Sequence, residues 1–157
     1  TFMGYDCNEK FVSWLLANQH DKMFVMIGFN NTNFDNFLLL EGLLRYKEDH
    51  PEQDYSVSDI FYNGSQLLNF RVAGRHTTFD IRKHLVGSLR KNCESFKINC
   101  CSKKDFNHDY AQSLHNNEQL IDYITNNEEL KEYNEYDVLA TAVLYRRYQQ
   151  ALAEQMR

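Results

Sequence analysis

Residues 22–46 read KMFVMIGFNNTNFDNFLLLEGLLRY, and their order decides the fold class. Between Lys22 and Gly28 the run is apolar on both faces and too short for a helix, which predicts a strand central to a covered sheet. Phe29 to Asn33 is rich in turn-forming residues. Beyond it Phe34, Phe37, Leu38, Leu40, Leu43 and Leu44 recur at helical spacing as far as Tyr46, so the order is strand, loop, helix. That order implies an α/β fold.

Upstream, Asn8 and Glu9 followed by Phe11, Val12, Leu15 and Leu16 predict a capped amphipathic helix ending near Asn18. Downstream, Lys47 to Asp54 with Pro51 reads as a polar loop. Ser58 to Tyr62 and Gln66 to Val72 then flank Asn63-Gly64, the pattern of a hairpin with an Asn-Gly turn, and Thr77 to Ile81 adds another extended segment. The sheet is therefore expected to be mixed. From Leu85 onward the pattern gives helices and loops: Ser88 to Phe96, His108 to Asn116, Glu118 to Thr125, and a long helix from Glu128 to about Glu154. Asn126-Asn127 caps the last, and Glu128 and Glu129 oppose its dipole.

With 157 residues, 43% of them hydrophobic, one packed domain over 1–157 is expected. No apolar run approaches the roughly 18 residues of a membrane span, which speaks against a membrane partner. Cys7, Cys93, Cys100 and Cys101 show neither a CxxC nor a zinc spacing, so free thiols in an intracellular, reducing compartment are expected. No basic-then-apolar leader opens the chain, and Thr1 in place of a methionine suggests a processed product or a piece of something longer. The net charge of -5 hides a split: Arg71 to Lys104 holds nine Lys/Arg against two acids, +7, which leaves -12 for the remainder. Such a basic stretch is either a solvated face or a track for a phosphate backbone.

Two places hold acids in unusual settings. Asp35 follows an apolar strand and opens an apolar helix, where it is either a helix-cap acid or a ligand for a divalent cation. Tyr133 and Asp137, four apart, share a helix face with Ala140 and Leu144 that should pack inward. An inward carboxylate is costly unless it is hydrogen-bonded or bound to metal, so the pair is either structural or catalytic.

The ordered set G-F-N-N-T-N-F-D-N-F-L-L, then Y-x-x-x-D about a hundred residues later, resembles the second and third exonuclease motifs of the proofreading domain of family B DNA polymerases. Within that family, three features look most like the protein-primed group of phages, linear plasmids and virus-like transposons. They are Asn31, Phe34 and Asp35 as NxxFD, the block from Phe79-Asp80 to Ser95-Phe96-Lys97-Ile98, and the Lys-x-Asp-Phe stretch of Lys103 to Phe106 with His108 after it. The resemblance covers most of the chain and implies an RNase H-like exonuclease fold, a mixed sheet flanked by helices, truncated at its N-terminus.

It implies the chemistry too. Two ions, Mg2+ or Mn2+, held by four acids would activate a water and stabilise the leaving 3′-oxygen. Asp35 and Asp137 would be two of those acids, Tyr133 would hydrogen-bond the attacking water, and Lys103, or Lys104 one residue on, would steady the scissile phosphate. Asn31, Phe34 and His108 would contact the 3′ end of single-stranded DNA, with the Phe34 ring stacking on an unpaired base, unless that ring is simply core packing. The remaining partners would be the rest of the polymerase chain and a terminal protein primer.

Two departures stand out. The chain contains no Asp-x-Glu, the first exonuclease motif, and Ile81-Arg82 stands where the subgroup has a Ser/Thr-Leu pair on the DNA. The isolated chain is thus expected to hydrolyse little, and no polymerase palm acids are present. The alternative expectation is a non-catalytic nucleic-acid-binding module derived from the same fold. An interaction domain, with Asp35 a cap and Tyr133/Asp137 a structural pair, is the third.

Overall fold

The computed structural model describes residues 2, 6–18, 22–99, 108–114 and 116–157. They form two compact units, Cys7–Gly87 and Ser88–Arg157, the latter grouped with Thr1–Asp6.

The first unit is α/β. Helix α1 (Cys7–Ala17) precedes strand β1 (Val25–Gly28), a 3-10 turn over Asn31–Asn33, and helix α2 (Asp35–Asp49). Strands β2 (Val57–Asn63), β3 (Gln66–Val72) and β4 (His76–Asp80) then run as an antiparallel meander, and β4 returns to pair in parallel with β1. The sheet order is β1-β4-β3-β2, so it is mixed as expected. One expectation is overturned: β1 lies at an edge of the described sheet, with Val25 exposed. A short apolar run reports burial of its faces, and Phe24 and Met26 do pack on the core, but it carries no information about whether both edges are paired.

The core lies between the two helices and the sheet. Val12, Leu15 and Leu16 of α1 meet Leu40 and Leu43 of α2, with Tyr55 and Leu67, Phe70 and Val72 beside them. Each such fully buried side chain contributes roughly 1.5–3 kcal/mol. Asn8 does not cap α1. Its Nδ2 donates to the Leu38 carbonyl at 2.6 Å, and it sits where a Cβ on Gly42 would come within 2.3 Å, so this glycine lets α1 and α2 approach.

The hairpin turn is displaced by one residue. Asn63 pairs with Gln66 and the loop is Gly64-Ser65, with Gly64 at φ +59°, because the residue that must adopt the left-handed conformation is the glycine. A bulge around Asp59, itself at φ +49°, shifts the β2–β3 register, and Arg71 closes on Asp59 at 3.0 Å.

The second unit is helical: α3 (Leu89–Ser95), α4 (His108–Ser113), α5 (Asn117–Asn126) and α6 (Glu128–Gln155). Side-chain oxygens cap three of the helix starts: Ser88 accepts from Lys91 N, Asn116 from Gln119 N, and Asn127 from Leu130 N. α3 packs on α6, and Leu89 and Cys93 on one helix and Ala140, Thr141 and Leu144 on the other are buried. Cys7 is a free thiol and Cys93 is buried, while Cys100 and Cys101 lie outside the described residues. Among the described residues no helix is long and apolar enough to cross a membrane.

Candidate functional site

Gly28 and Asp80 are partners at the carboxyl ends of the parallel pair β1 and β4, the place where open α/β sheets present loops to ligands. The loop here is Phe29 to Phe34, and Asp80 holds it. Its Oδ1 accepts from the backbone N–H of Asn30 (2.8 Å) and of Arg82 (3.0 Å). Its Oδ2 accepts from the N–H (3.1 Å) and the hydroxyl (2.8 Å) of Thr32. One carboxylate, 5% exposed, thus meets four donors on two segments of chain. Asn30 can take the left-handed φ of 73° that starts the 3-10 turn because asparagine tolerates it, and its Oδ1 accepts from Arg82 Nη1 at 2.6 Å.

Asn31 turns into the body. Its side chain lies over Gly28, where a Cβ would come 2.6 Å from Asn31 Cγ, so only glycine fits. Its Nδ2 donates to Asn36 Oδ1 at 2.9 Å, and Asn36 Nδ2 passes the tie to the Leu67 carbonyl at 2.8 Å. Asn31 Oδ1 is buried with no partner among the described residues. The expectation that Asn31 grips a strand end therefore meets a side chain 6% exposed, whose visible work is to fix the turn on α2 and β3.

Phe34 points the other way. It is 68% exposed, which removes the core-packing alternative for this ring. Asp35 follows as the first residue of α2 and is exposed as a whole. Its carboxyl is nonetheless held above the ordinary carboxylate value, chiefly by partial loss of hydration and further by the charge of Asp80, while its own backbone N–H pulls the other way.

Ile81, at the first of the two departure positions, is fully buried, and Arg82 at the second bonds Asn30. Tyr133 and Asp137 lie on the half-buried face of α6 that continues through Ala140, Thr141 and Leu144, as their spacing predicts, and the Asp137 carbonyl accepts from the Thr141 hydroxyl at 2.8 Å. Lys103 and Lys104 lie outside the described residues; His108 opens α4, but its side chain is not among those described. The site residues are thus divided: Asn31, Phe34 and Asp35 in the first unit, Tyr133 and Asp137 in the second. The basic stretch is divided in the same way, with Arg71 to Lys83 in one unit and Arg90 to Lys97 in the other.

Among the described residues no three His, Cys, Asp or Glu side chains come together as a metal site. Asp80, whose charge reaches Asp35, already meets four donors. The described residues therefore do not fit the two-ion centre by themselves.

Sequence reasoning noted Asp80 only as part of a block and missed its role. The signal is faint. His76, Thr78 and Asp80 alternate on β4 and all are buried, so a polar period-two pattern that reads as a solvent face is here the inner face. Compared with protein-family models, with curated proteins and with solved structures, the chain matches none.

Proposed function

We propose that the chain is most of the 3′-5′ exonuclease domain of a family B DNA polymerase of the protein-primed group, with an RNase H-like fold, and that it binds the 3′ end of single-stranded DNA. The observation that carries this reading is the presentation of Phe34 and Asp35: an exposed ring and an acid, side by side, on a turn that Asp80 ties to the carboxyl end of a parallel strand pair. An exposed phenyl ring stacks on any unpaired base, which suits a site that must accept every sequence. Asn31 acts beneath it as the residue that positions the turn. At the positions of Asp35, Asp137, Tyr133 and Lys103 the resembled family would carry two of its four acids, its phenol and its cation. The other two acids belong to an Asp-x-Glu motif that these 157 residues do not contain, so the chain alone binds strands without cutting them.

The test uses the longer protein that joins this segment to an Asp-x-Glu strand. It is expected to shorten a 5′-labelled single strand when magnesium is present, and Asp35→Ala or Asp137→Ala is expected to lower that rate by orders of magnitude while strand binding persists. A strand left intact by the protein with all four acids overturns the catalytic assignment. Binding that weakens steeply with salt and ignores magnesium, without any cleavage, would mark the non-catalytic binding module instead.

A further inference from the structure

A side chain fastens the start of the parallel strand pair. The Phe24 N–H, one residue ahead of β1, donates at 3.1 Å to Nδ1 of His76, the first residue of β4, while the Phe24 carbonyl accepts from the Thr77 N–H at 3.2 Å. The two rings lie together with centroids 5.3 Å apart, and Trp14 of α1 packs on Phe24 at 5.4 Å. The strand so fastened is four residues long, lies at an edge of the described sheet, and runs from Gly28 into the turn that carries Phe34 and Asp35.

What surrounds the imidazole is neutral or positive. Val72 on β3 pairs with it, and Phe24 and Trp14 bring only aromatic rings. The core on which Phe24 packs adds the phenols of Tyr46 and Tyr55, with the Lys47 ammonium over the Tyr55 ring. Along β4, Thr78 brings a hydroxyl, and the Asp80 carboxylate is taken up by its four donors. Arg75, its neighbour in the chain, is the charge that acts on the ring, and its sign disfavours a proton there. His76 Nε2 is buried without a partner among the described residues.

We propose that His76 is an acid-released latch on β1: a proton taken up at Nδ1 opens the strand Val25–Gly28 and the turn beyond it, while the hairpin β2–β3 stays closed. The proton occupies the lone pair that the Phe24 N–H uses, sets two N–H groups against each other, and places a charge in apolar surroundings. Relief comes at β1 because β4 alone holds it among the described strands, whereas β2 and β3 form a hairpin of seven-residue strands. Acid thereby disarms the turn of Phe34 and Asp35 without unfolding the unit, and the latch closes again as pH rises past ~6.5.

The experiment follows amide exchange of the 157-residue chain by NMR between about pH 7.5 and 5, with each rate divided by the intrinsic rate at that pH. Protection at Phe24 and Thr77 should fall by roughly thirtyfold, as an imidazole of pKa ~6.5 in the open strand and unprotonated in the closed one requires. Protection at Ala73, whose N–H donates to the Ser56 carbonyl at 2.8 Å beside the hairpin, should hold. His76→Asn, whose amide oxygen falls near the place of Nδ1 and takes no proton, should keep Phe24 protected throughout. Equal protection of Phe24 at both ends of the range overturns the latch, and so does a parallel loss at Ala73, which marks unfolding of the whole unit. An unchanged acid loss in His76→Asn assigns the effect to another group and overturns it too. If that variant fails to fold, the imidazole nitrogen shifts of the unaltered chain decide. His76 should then charge in step with the loss of Phe24 protection, and a ring that charges while Phe24 stays protected overturns the latch.

Discussion

The two units hold their candidate residues by different means. In Cys7–Gly87 the turn that carries Phe34 and Asp35 is fixed by buried polar bonds to β4, α2 and β3, and a core drawn from α1, α2 and β3 stands behind it. In Ser88–Arg157 the pair Tyr133 and Asp137 rides on a 28-residue helix of which Ala140, Thr141 and Leu144 are buried, while Val138, Leu139 and Leu152 are exposed and α5 has no buried residue. The position of the first set is thus dictated by tertiary bonds, and that of the second mainly by helix geometry. Precision at the turn costs buried polar groups; precision on the helix costs only the regularity of the backbone.

The largest effect should come from the core of the first unit. Leu43→Ala is expected to cost about 3 kcal/mol in urea unfolding, and an equal loss of helical structure from Leu144→Ala would break the contrast between the units. Next comes Asp80→Ala, which strands the N–H groups of Asn30, Thr32 and Arg82 and the Thr32 hydroxyl. A cost of about 2 kcal/mol is expected by the same measurement, together with faster amide exchange at Asn30 and Thr32; unchanged exchange there would show that the turn holds without its anchor.

A smaller effect depends on pH. His76 is fully buried and its Nδ1 accepts from Phe24 N–H at 3.1 Å, a bond that only the neutral ring can make, with the proton on Nε2, which has no partner among the described residues. Burial, and then the charge of Arg75, push its pKa down. The unfolded imidazole therefore takes a proton first, and this contribution, complete above pH ~6.5, is lost as pH falls below that value. The urea midpoint of the first unit should drop as pH falls below about 6.5, and His76→Gln should flatten that dependence. The smallest effect belongs to Asp35. Its raised pKa means that the ionised carboxylate disfavours folding at neutral pH, so Asp35→Asn should leave the thermal midpoint equal or slightly higher at pH 7, with the two proteins converging as pH falls into the carboxylate range. A clear loss of stability on Asp35→Asn would return this residue to the role of an ordinary helix cap.

Much of the architecture was legible because it depends on local periodicity. The α2 pattern, the hairpin, and the cap at Asn127 lie within a few residues of the groups they engage. The same holds for Tyr133 and Asp137, whose shared face follows from a four-residue step. What stayed hidden acts across the sequence. Asp80 and Thr32 are 48 positions apart, Asn36 and Leu67 are 31 apart, and no spacing rule joins them. Asn31 shows the consequence: the sequence offers a polar residue beside an acid, and only the fold reveals that its amide faces inward over Gly28. The edge position of β1 was hidden for a related reason, since its described pairing is with a strand whose residues lie 52 positions downstream.

Tyr55 bears on how such experiments can be read. Its ring is buried, its hydroxyl donates to the Leu43 carbonyl, and desolvation, with Tyr46 adding to it, pushes its pKa up to about 12. Tyr55 should therefore ionise only in strongly alkaline solution in the intact protein, and should fall back toward ~10 once the first unit opens. The ultraviolet absorbance of phenolate then becomes an internal gauge: the presence of this late step reads directly whether α2 and its neighbours are still assembled around the ring, with no label added.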